Sequence, residues 1–352
     1  MTRILACRVL RGGVRSSPLP LYGGTVTPRT GTEGYHLLQE VSEAVHLRIV
    51  GQHETVRGLL IALLTGGHLL LEGLPGLAKT LLVRSLAEAL GTTFRRIQFT
   101  PDLLPGDIVG TPIYDQGRGE FRVHKGPIFA NLVLADEVNR APPKVQSALL
   151  EAMEERQVTI DGTTYPLPSP FLVLATQNPV EHQGTYPLAE AQLDRFMMKL
   201  RIEHPDRDEE REILRRVALA PGDAERPVVS SPASGPAILA ARGELDGIHM
   251  DSRIQAYIVD LVFASREPAA AGVPELEALL EFGISPRATI FLTRAARAAA
   301  FLEGRDFVLP DDVKAMARPV FRHRVRPTYE AEAQGLDGDR LVDLLLAAVP
   351  AP

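Results

Sequence analysis

The stretch Gly73-Leu74-Pro75-Gly76-Leu77-Ala78-Lys79-Thr80-Leu81 limits what this chain can fold into more than any other feature. It follows an apolar run, His68–Leu71, that reads as a strand. It opens an amphipathic stretch, Lys79–Leu90, that Gly91 stops. A glycine-rich turn between strand and helix, closed by Lys-Thr, is the context a phosphate-binding loop needs. Its glycines let backbone N–H groups turn inward around phosphates, and the helix N-terminus adds partial positive charge. Lys79 can then reach the terminal phosphates, and the Thr80 hydroxyl can ligate Mg2+. Ala78 stands where glycine is usual before the lysine, and a methyl there is tolerable only if φ stays negative.

Further near-continuous apolar runs occur at Phe94–Phe99, Leu132–Ala135, Phe171–Ala175 and Met197–Ile202. Such runs suit parallel strands covered on both faces. Helical stretches between them, such as Lys144–Glu155 with Val145, Leu149 and Met153 on one stripe, predict a parallel sheet with helices on both sides. After His204 the strand signal disappears. Helices are expected at Asp208–Ala218, Ser252–Ser265, Pro286–Leu302 (capped by Ser285), Pro310–Pro319 and Asp339–Ala348, with a Pro/Ser/Gly linker over Pro221–Pro236. The domain reading is therefore a tail over 1–35, an αβα nucleotide-binding domain over 36–203 and an all-helical domain over 204–352.

Two strands end in polar residues that complement the phosphate loop. Leu132-Val-Leu-Ala runs into Asp136-Glu137, which places two carboxylates at a strand C-terminus, where ligands bind in such sheets. Asp136 can hold the metal, directly or through water, and Glu137 can activate the water that attacks the γ-phosphate. Phe171-Leu-Val-Leu-Ala-Thr176-Gln177-Asn178 is a similar strand. If it neighbours the Asp136 strand, Asn178 projects beside the γ-phosphate. An Asn opening the turn into Pro179 is equally ordinary turn chemistry, so spacing alone leaves its role open. Asp161-Gly162, flanked by alternating residues, signals a hairpin, and Gly110–Gly119 reads as another with Asp115-Gln-Gly-Arg at its tip.

Several longer motifs carry a resemblance. They are Asp136-Glu-Val-Asn-Arg-Ala-Pro-Pro-Lys-Val-Gln-Ser-Ala-Leu-Leu-Glu-Ala-Met, Gln177-Asn-Pro-Val-Glu, Tyr186-Pro-Leu-Ala-Glu-Ala-Gln-Leu-Asp-Arg195-Phe and Thr100-Pro-Asp-Leu-Leu-Pro-Gly-Asp-Ile-Val-Gly110. With Ile49-Val50-Gly51-Gln52 and Gly283-Ile-Ser-Pro-Arg287-Ala, they resemble the MoxR family of AAA+ ATPases from about residue 36 to 326. The family's phosphate loop carries the same alanine. The resemblance implies a P-loop AAA+ α/β core followed by a helical lid, with ATP and Mg2+ as cofactors. It implies that Arg195 is an arginine finger reaching a neighbouring subunit's nucleotide. Arg287 would be a second sensor on the lid, touching the γ-phosphate. An arginine in a helix first turn is mildly unfavourable against the dipole, which a nearby anion would relieve. Val50, Gly51 and Gln52 would line the adenine pocket. Both hairpins would face a central pore. The implied assembly is a homo-oligomeric, hexameric ring with chaperone-like work on a protein client, a von Willebrand factor A-domain partner and metal insertion.

Composition narrows the alternatives. A net charge of -6 argues against a protein that mainly grips phosphate backbones, and no Arg/Lys–aromatic recognition segment is seen, so a nucleic-acid motor is disfavoured. A magnesium-chelatase-like motor subunit, which shares the hairpin inserts, is the alternative within reach. A nucleotide-gated scaffold without turnover is opposed by the intact Glu137. One cysteine, Cys7, excludes an internal disulfide framework and suits a reducing, cytoplasmic setting. The apolar runs fall far short of a membrane span. The first 35 residues hold Arg3, Arg8, Arg11, Arg15 and Arg29 against the single acid Glu33, which reads as a tail without an apolar targeting core.

Overall fold

The apolar runs assemble into one parallel sheet. The computed structural model describes residues 32–74, 76–178, 184–218 and 233–352. In it, β1 (Leu69–Glu72), β2 (Phe94–Gln98), β5 (Leu132–Asp136), β8 (Leu172–Gln177) and β9 (Met198–Arg201) lie in the order β2-β5-β8-β1-β9. Every neighbouring pair is parallel. Two antiparallel hairpins stand outside this sheet: β3 (Gly110–Asp115) with β4 (Glu120–Lys125), and β6 (Gln157–Ile160) with β7 (Thr163–Pro166). The second turns at Asp161-Gly162, both left-handed, with φ of 49° and 75°. That is the twist a two-residue hairpin turn requires.

The sheet is apolar on both faces because each face has its own core. Leu69, Leu71, Leu132, Leu134, Leu172 and Leu174 pack into one cluster, while Leu70, Val133, Ala135, Val173 and Ala175 pack into another. Period-two geometry sends alternate residues to opposite faces, so a strand buried on both must be apolar throughout. The first face is covered by α1 (Glu33–His46), α2 (His53–Thr65) and α3 (Lys79–Ala89). The second is covered by α4 (Pro105–Val109) and α5 (Pro143–Glu155). The short α6 (Glu190–Leu193) precedes β9.

The C-terminal part is helical: α7 (Arg207–Val217), α8 (Gly235–Glu244), α9 (Ser252–Arg266), α10 (Pro286–Leu302), α11 (Pro310–Phe321), α12 (Tyr329–Ala333) and α13 (Gly338–Ala348). Its core is continuous with the first face of the sheet, through α8 against α1 and α2 and α10 against α2.

Three local expectations change. The hairpin expected over Gly110–Gly119 runs on to Lys125. Most of the Pro221–Pro236 segment lies outside the described residues, but Gly235 and Pro236 already open α8, N-capped by the Ser234 hydroxyl. Ser285 occupies the N-cap position of α10 without capping it, because its hydroxyl donates instead to both oxygens of Asp194, at 2.9 Å each.

One buried residue makes the sheet pH-sensitive. His68 enters β1 with its Nδ1 accepting from the Val173 N–H (2.9 Å) and its Nε2 against the Met153 carbonyl (3.0 Å). Only the neutral ring satisfies both bonds. Burial pushes its pKa down from 6.5 to about 4. A base lowered in this way binds its proton in the unfolded chain first, so stability falls as pH drops from 6.5 towards 4. His68 alone should remove about 2 kcal/mol at pH 5 relative to pH 7.5. His323, held well below 6.5 by burial and then by Arg324, adds to the same trend. Unfolding midpoints measured across that window should show the loss. An unchanged slope in His68→Gln would assign the acid sensitivity to other groups.

Candidate functional site

The parallel order puts the C-terminal ends of β1, β5 and β8 side by side, and the candidate residues gather there. Asp136 is the last residue of β5. Its Oδ1 accepts from the Thr176 hydroxyl (2.6 Å), and its Oδ2 accepts from Arg96 on β2, at 2.9 Å from Nε and 2.6 Å from a terminal nitrogen. Glu137 follows in a left-handed conformation, φ 58° and ψ 49°, a strained region for a residue with a side chain. Its N–H donates to Thr176 Oγ1 (2.8 Å), and its Oε2 lies 2.9 Å from Gln98 Nε2 and 3.1 Å from Arg140 Nε. Behind it, buried Gln146 on α5 donates to the carbonyls of Val138, Ala141 and Tyr186, which pins the turn that carries Glu137. Asn178 lies two residues past Thr176, beside this pair of acids in the sheet order.

The phosphate loop wraps the neighbouring strand end. Gly76 has φ 88°, and a Cβ built there would meet nothing within 4 Å, so this part of the loop borders open space. Ala78 has φ 52° and ψ 23°. The condition that φ stay negative is therefore not met, and the alanine carries the left-handed cost of about 1 kcal/mol. Gly76 and Ala78, both with positive φ just before the N-terminus of α3, give backbone of the kind that forms anion-binding nests. Lys79 Nζ donates to the Gly73 carbonyl. Burial lowers its pKa, while Asp136 and Glu137 pull it the other way. Leu74, Leu77, Thr80 and Leu81 flank it, and Pro75 lies outside the described residues.

These residues fit a magnesium nucleotide. Mg2+ binds proteins through one or two oxygen ligands and completes its octahedron with water and phosphate. Thr80 and Asp136 provide that number, and the nest and Lys79 provide for the phosphates. Next to the start of the loop lies a crevice of about 980 Å3, between α2, the end of β9 and lid helices α11 and α13. Gln52 lines it and donates from Nε2 to the Glu203 carbonyl (2.9 Å). Val50 and Gly51 lead into it from α1.

Arg195 and Arg287 are brought together, but at the other end of the sheet. Arg195 precedes β9, whose first residue Met198 pairs with Leu69 at the start of β1. Glu154 on α5 bridges the two arginines, 2.7 Å from Arg287 through Oε1 and 3.2 Å from Arg195 through Oε2. Asp194 Oδ2 lies 3.8 Å from Arg287. The anions that relieve Arg287 of its unfavourable place in the first turn of α10 are thus carboxylates of its own chain. At about 3.3 Å per residue, β1 alone separates this cluster from Gly73 by more than 10 Å, so Arg287 does not touch the phosphates its own loop would hold.

Sequence reasoning missed Arg96, Gln98, Thr176 and Glu154. Thr176 is within its reach, as the first polar residue at the end of an apolar strand next to Asp136. The other three are joined to the site only by the fold.

Comparison with known proteins agrees with this fold. Residues 68–198 match the model of the ATPase family associated with various cellular activities (AAA), and residues 276–344 match the AAA lid domain. Fold and site together define a AAA+ ATPase. The chain is 46% identical over 329 residues to the chaperone MoxR1 of Mycobacterium tuberculosis, covering 92% of this chain and 86% of that one. It is 36% identical to the protein MoxR of Paracoccus denitrificans, over 89% of this chain and 96% of that protein. A crystal structure of a candidate ATPase from Cytophaga hutchinsonii superposes with a TM-score of 0.85 at 48% identity, covering 91% and 96% of the two chains. The chain belongs to the MoxR family of AAA+ ATPases. Among the described residues, no helix is long and apolar enough to cross a membrane.

Proposed function

We propose that this ATPase works as a homo-oligomeric ring of six subunits, with each nucleotide held between two of them. One subunit provides the phosphate loop from Gly73 to Leu81, with Lys79 on the terminal phosphates, Thr80 and Asp136 at Mg2+, Glu137 at the attacking water and Asn178 orienting it. Val50, Gly51 and Gln52 receive the base at the edge of the large crevice. The next subunit provides Arg195 and Arg287. Bound Mg2+ supplies charge neutralisation at the phosphates, and the protein's own groups orient the water and hold its proton at the Glu137 carboxylate.

One observation carries the reading: Arg195 and Arg287 sit at the opposite end of the sheet from Lys79. A single chain cannot bring them to its own phosphates, whereas a neighbour in a ring can.

Work on a client follows from the hairpins. Ile113, Tyr114 and Phe121 of the β3–β4 hairpin are exposed, and the two rings lie 5.2 Å apart. Lys125 at its base lies 4.8 Å from the Phe129 ring and 5.4 Å from that of Tyr165 on β7, which ties the two hairpins together. An exposed apolar ridge of this kind suits a protein surface. We assign the chain to maturing or activating a protein client, with a von Willebrand factor A-domain protein as partner.

Light scattering of the Glu137→Gln protein with ATP tests the assembly. A species of six subunit masses is expected with ATP, and smaller species without it. A monomer at all nucleotide and protein concentrations overturns the ring.

A further inference from the structure

The arginine cluster has more positive charge than the two assigned arginines account for. A cavity of about 250 Å3 is lined by Arg156, Arg195, Arg287 and Arg294; Glu154 is the only acid among the described residues lining it, with Asp194 3.8 Å from Arg287 beside it. Arg156 donates to the Gly66 carbonyl rather than to a carboxylate (3.0 Å). Arg242, behind it, is lowered to about 10 by burial and then by Arg156. A cavity with such an imbalance is built for an anion richer in charge than one carboxylate.

Glu154 is also oddly placed for a merely structural acid. It sits in the last turn of α5, the end of a helix dipole that disfavours negative charge. What holds it is the arginine pair, one guanidinium on each oxygen. A carboxylate spanning two guanidiniums presents the same paired oxygens that a phosphate offers.

We propose that Glu154 is an internal placeholder for the terminal phosphate of a nucleotide bound to a second copy of this chain. In the free subunit it compensates and pre-orients Arg195 and Arg287. On assembly the neighbour's phosphate takes over the pair, Glu154 turns away, and Arg156 and Arg294 join as further cations facing the polyphosphate. This rests on the reading that Arg195 acts across the subunit interface.

The test is Glu154→Gln, with Glu154→Ala as a second variant, each made in the Glu137→Gln background so that ATP is not consumed. Loss of the competing ion pairs should lower the subunit concentration for half-assembly with ATP about three- to tenfold. Separately, in the Lys79→Ala background, inorganic tripolyphosphate should raise the melting temperature of free Glu154→Gln subunits more than that of subunits retaining Glu154. Half-assembly at an unchanged or higher concentration, with no added response to tripolyphosphate, overturns the placeholder and leaves Glu154 as a support for the arginines. Failure of the interface reading itself is seen separately, by mixing Arg195→Ala and Lys79→Ala subunits. If mixing restores activity while Glu154→Gln changes nothing, only the placeholder falls.

Discussion

Glu137→Gln protein should bind ATP as the parent does and hydrolyse it at least 100-fold more slowly. The size follows from the role proposed for the carboxylate, since removing a general base from a positioned water lowers rates by roughly 10²–10⁴. The amide keeps the volume and can still meet Gln98 Nε2 and Arg140 through its oxygen, so the turn pinned by Gln146 should survive. Binding and chemistry therefore separate cleanly. A fluorescent ATP analogue should titrate with unchanged affinity while steady-state phosphate release collapses. Phosphate release at the parent rate would remove Glu137 from the water and leave it as a strand-end acid.

The second large effect concerns Arg195. In Arg195→Ala every phosphate loop is intact, so ATP binds, but no interface has its finger. Such arginines contribute on the order of 10³-fold or more to phosphoryl transfer. Lys79→Ala subunits fail for the opposite reason, through loss of the phosphate-reaching ammonium. Neither protein alone should turn over ATP. Mixed rings contain interfaces where an intact loop of one subunit meets an intact Arg195 of another, and part of the activity should return. Mixing that forms hetero-oligomers yet restores nothing would make Arg195 an arginine serving only Glu154 in its own chain.

How much of this was legible beforehand depended on the range of the interactions involved. The central strands are legible because burial on both faces forces uninterrupted apolar runs. The Asp161-Gly162 turn is legible because its backbone demands left-handed residues. Helix α2 hid in plain view: His53–Thr65 is buried on nearly every side, from Val56 through Leu64, so it lacks the polar stripe that marks an amphipathic helix. Helix α8 adjoins a Pro/Gly/Ser-rich segment whose composition reads as linker. At the site, the loop, Asp136 and Glu137 are local patterns. Arg96 and Gln98 are not, since they reach the acids only because β2 and β5 pair across about 40 residues. The position of Arg287 relative to Lys79 was beyond any spacing rule, because it depends on how the lid docks.

That docking has a mechanical consequence. Asp194, the residue just before Arg195, accepts from Arg324 Nε (2.7 Å) and from Ser285 at the head of α10. Arg324 is almost wholly enclosed and also donates to the carbonyls of Asp194 and Phe196 on either side of Arg195. The lid is therefore geared to Arg195 through two teeth one residue away from it. A rotation of the lid cannot idle: it must either carry Arg195 along or strip a buried guanidinium of its partners. A motor geared in this way would report its lid angle to the adjacent subunit's nucleotide without a separate relay.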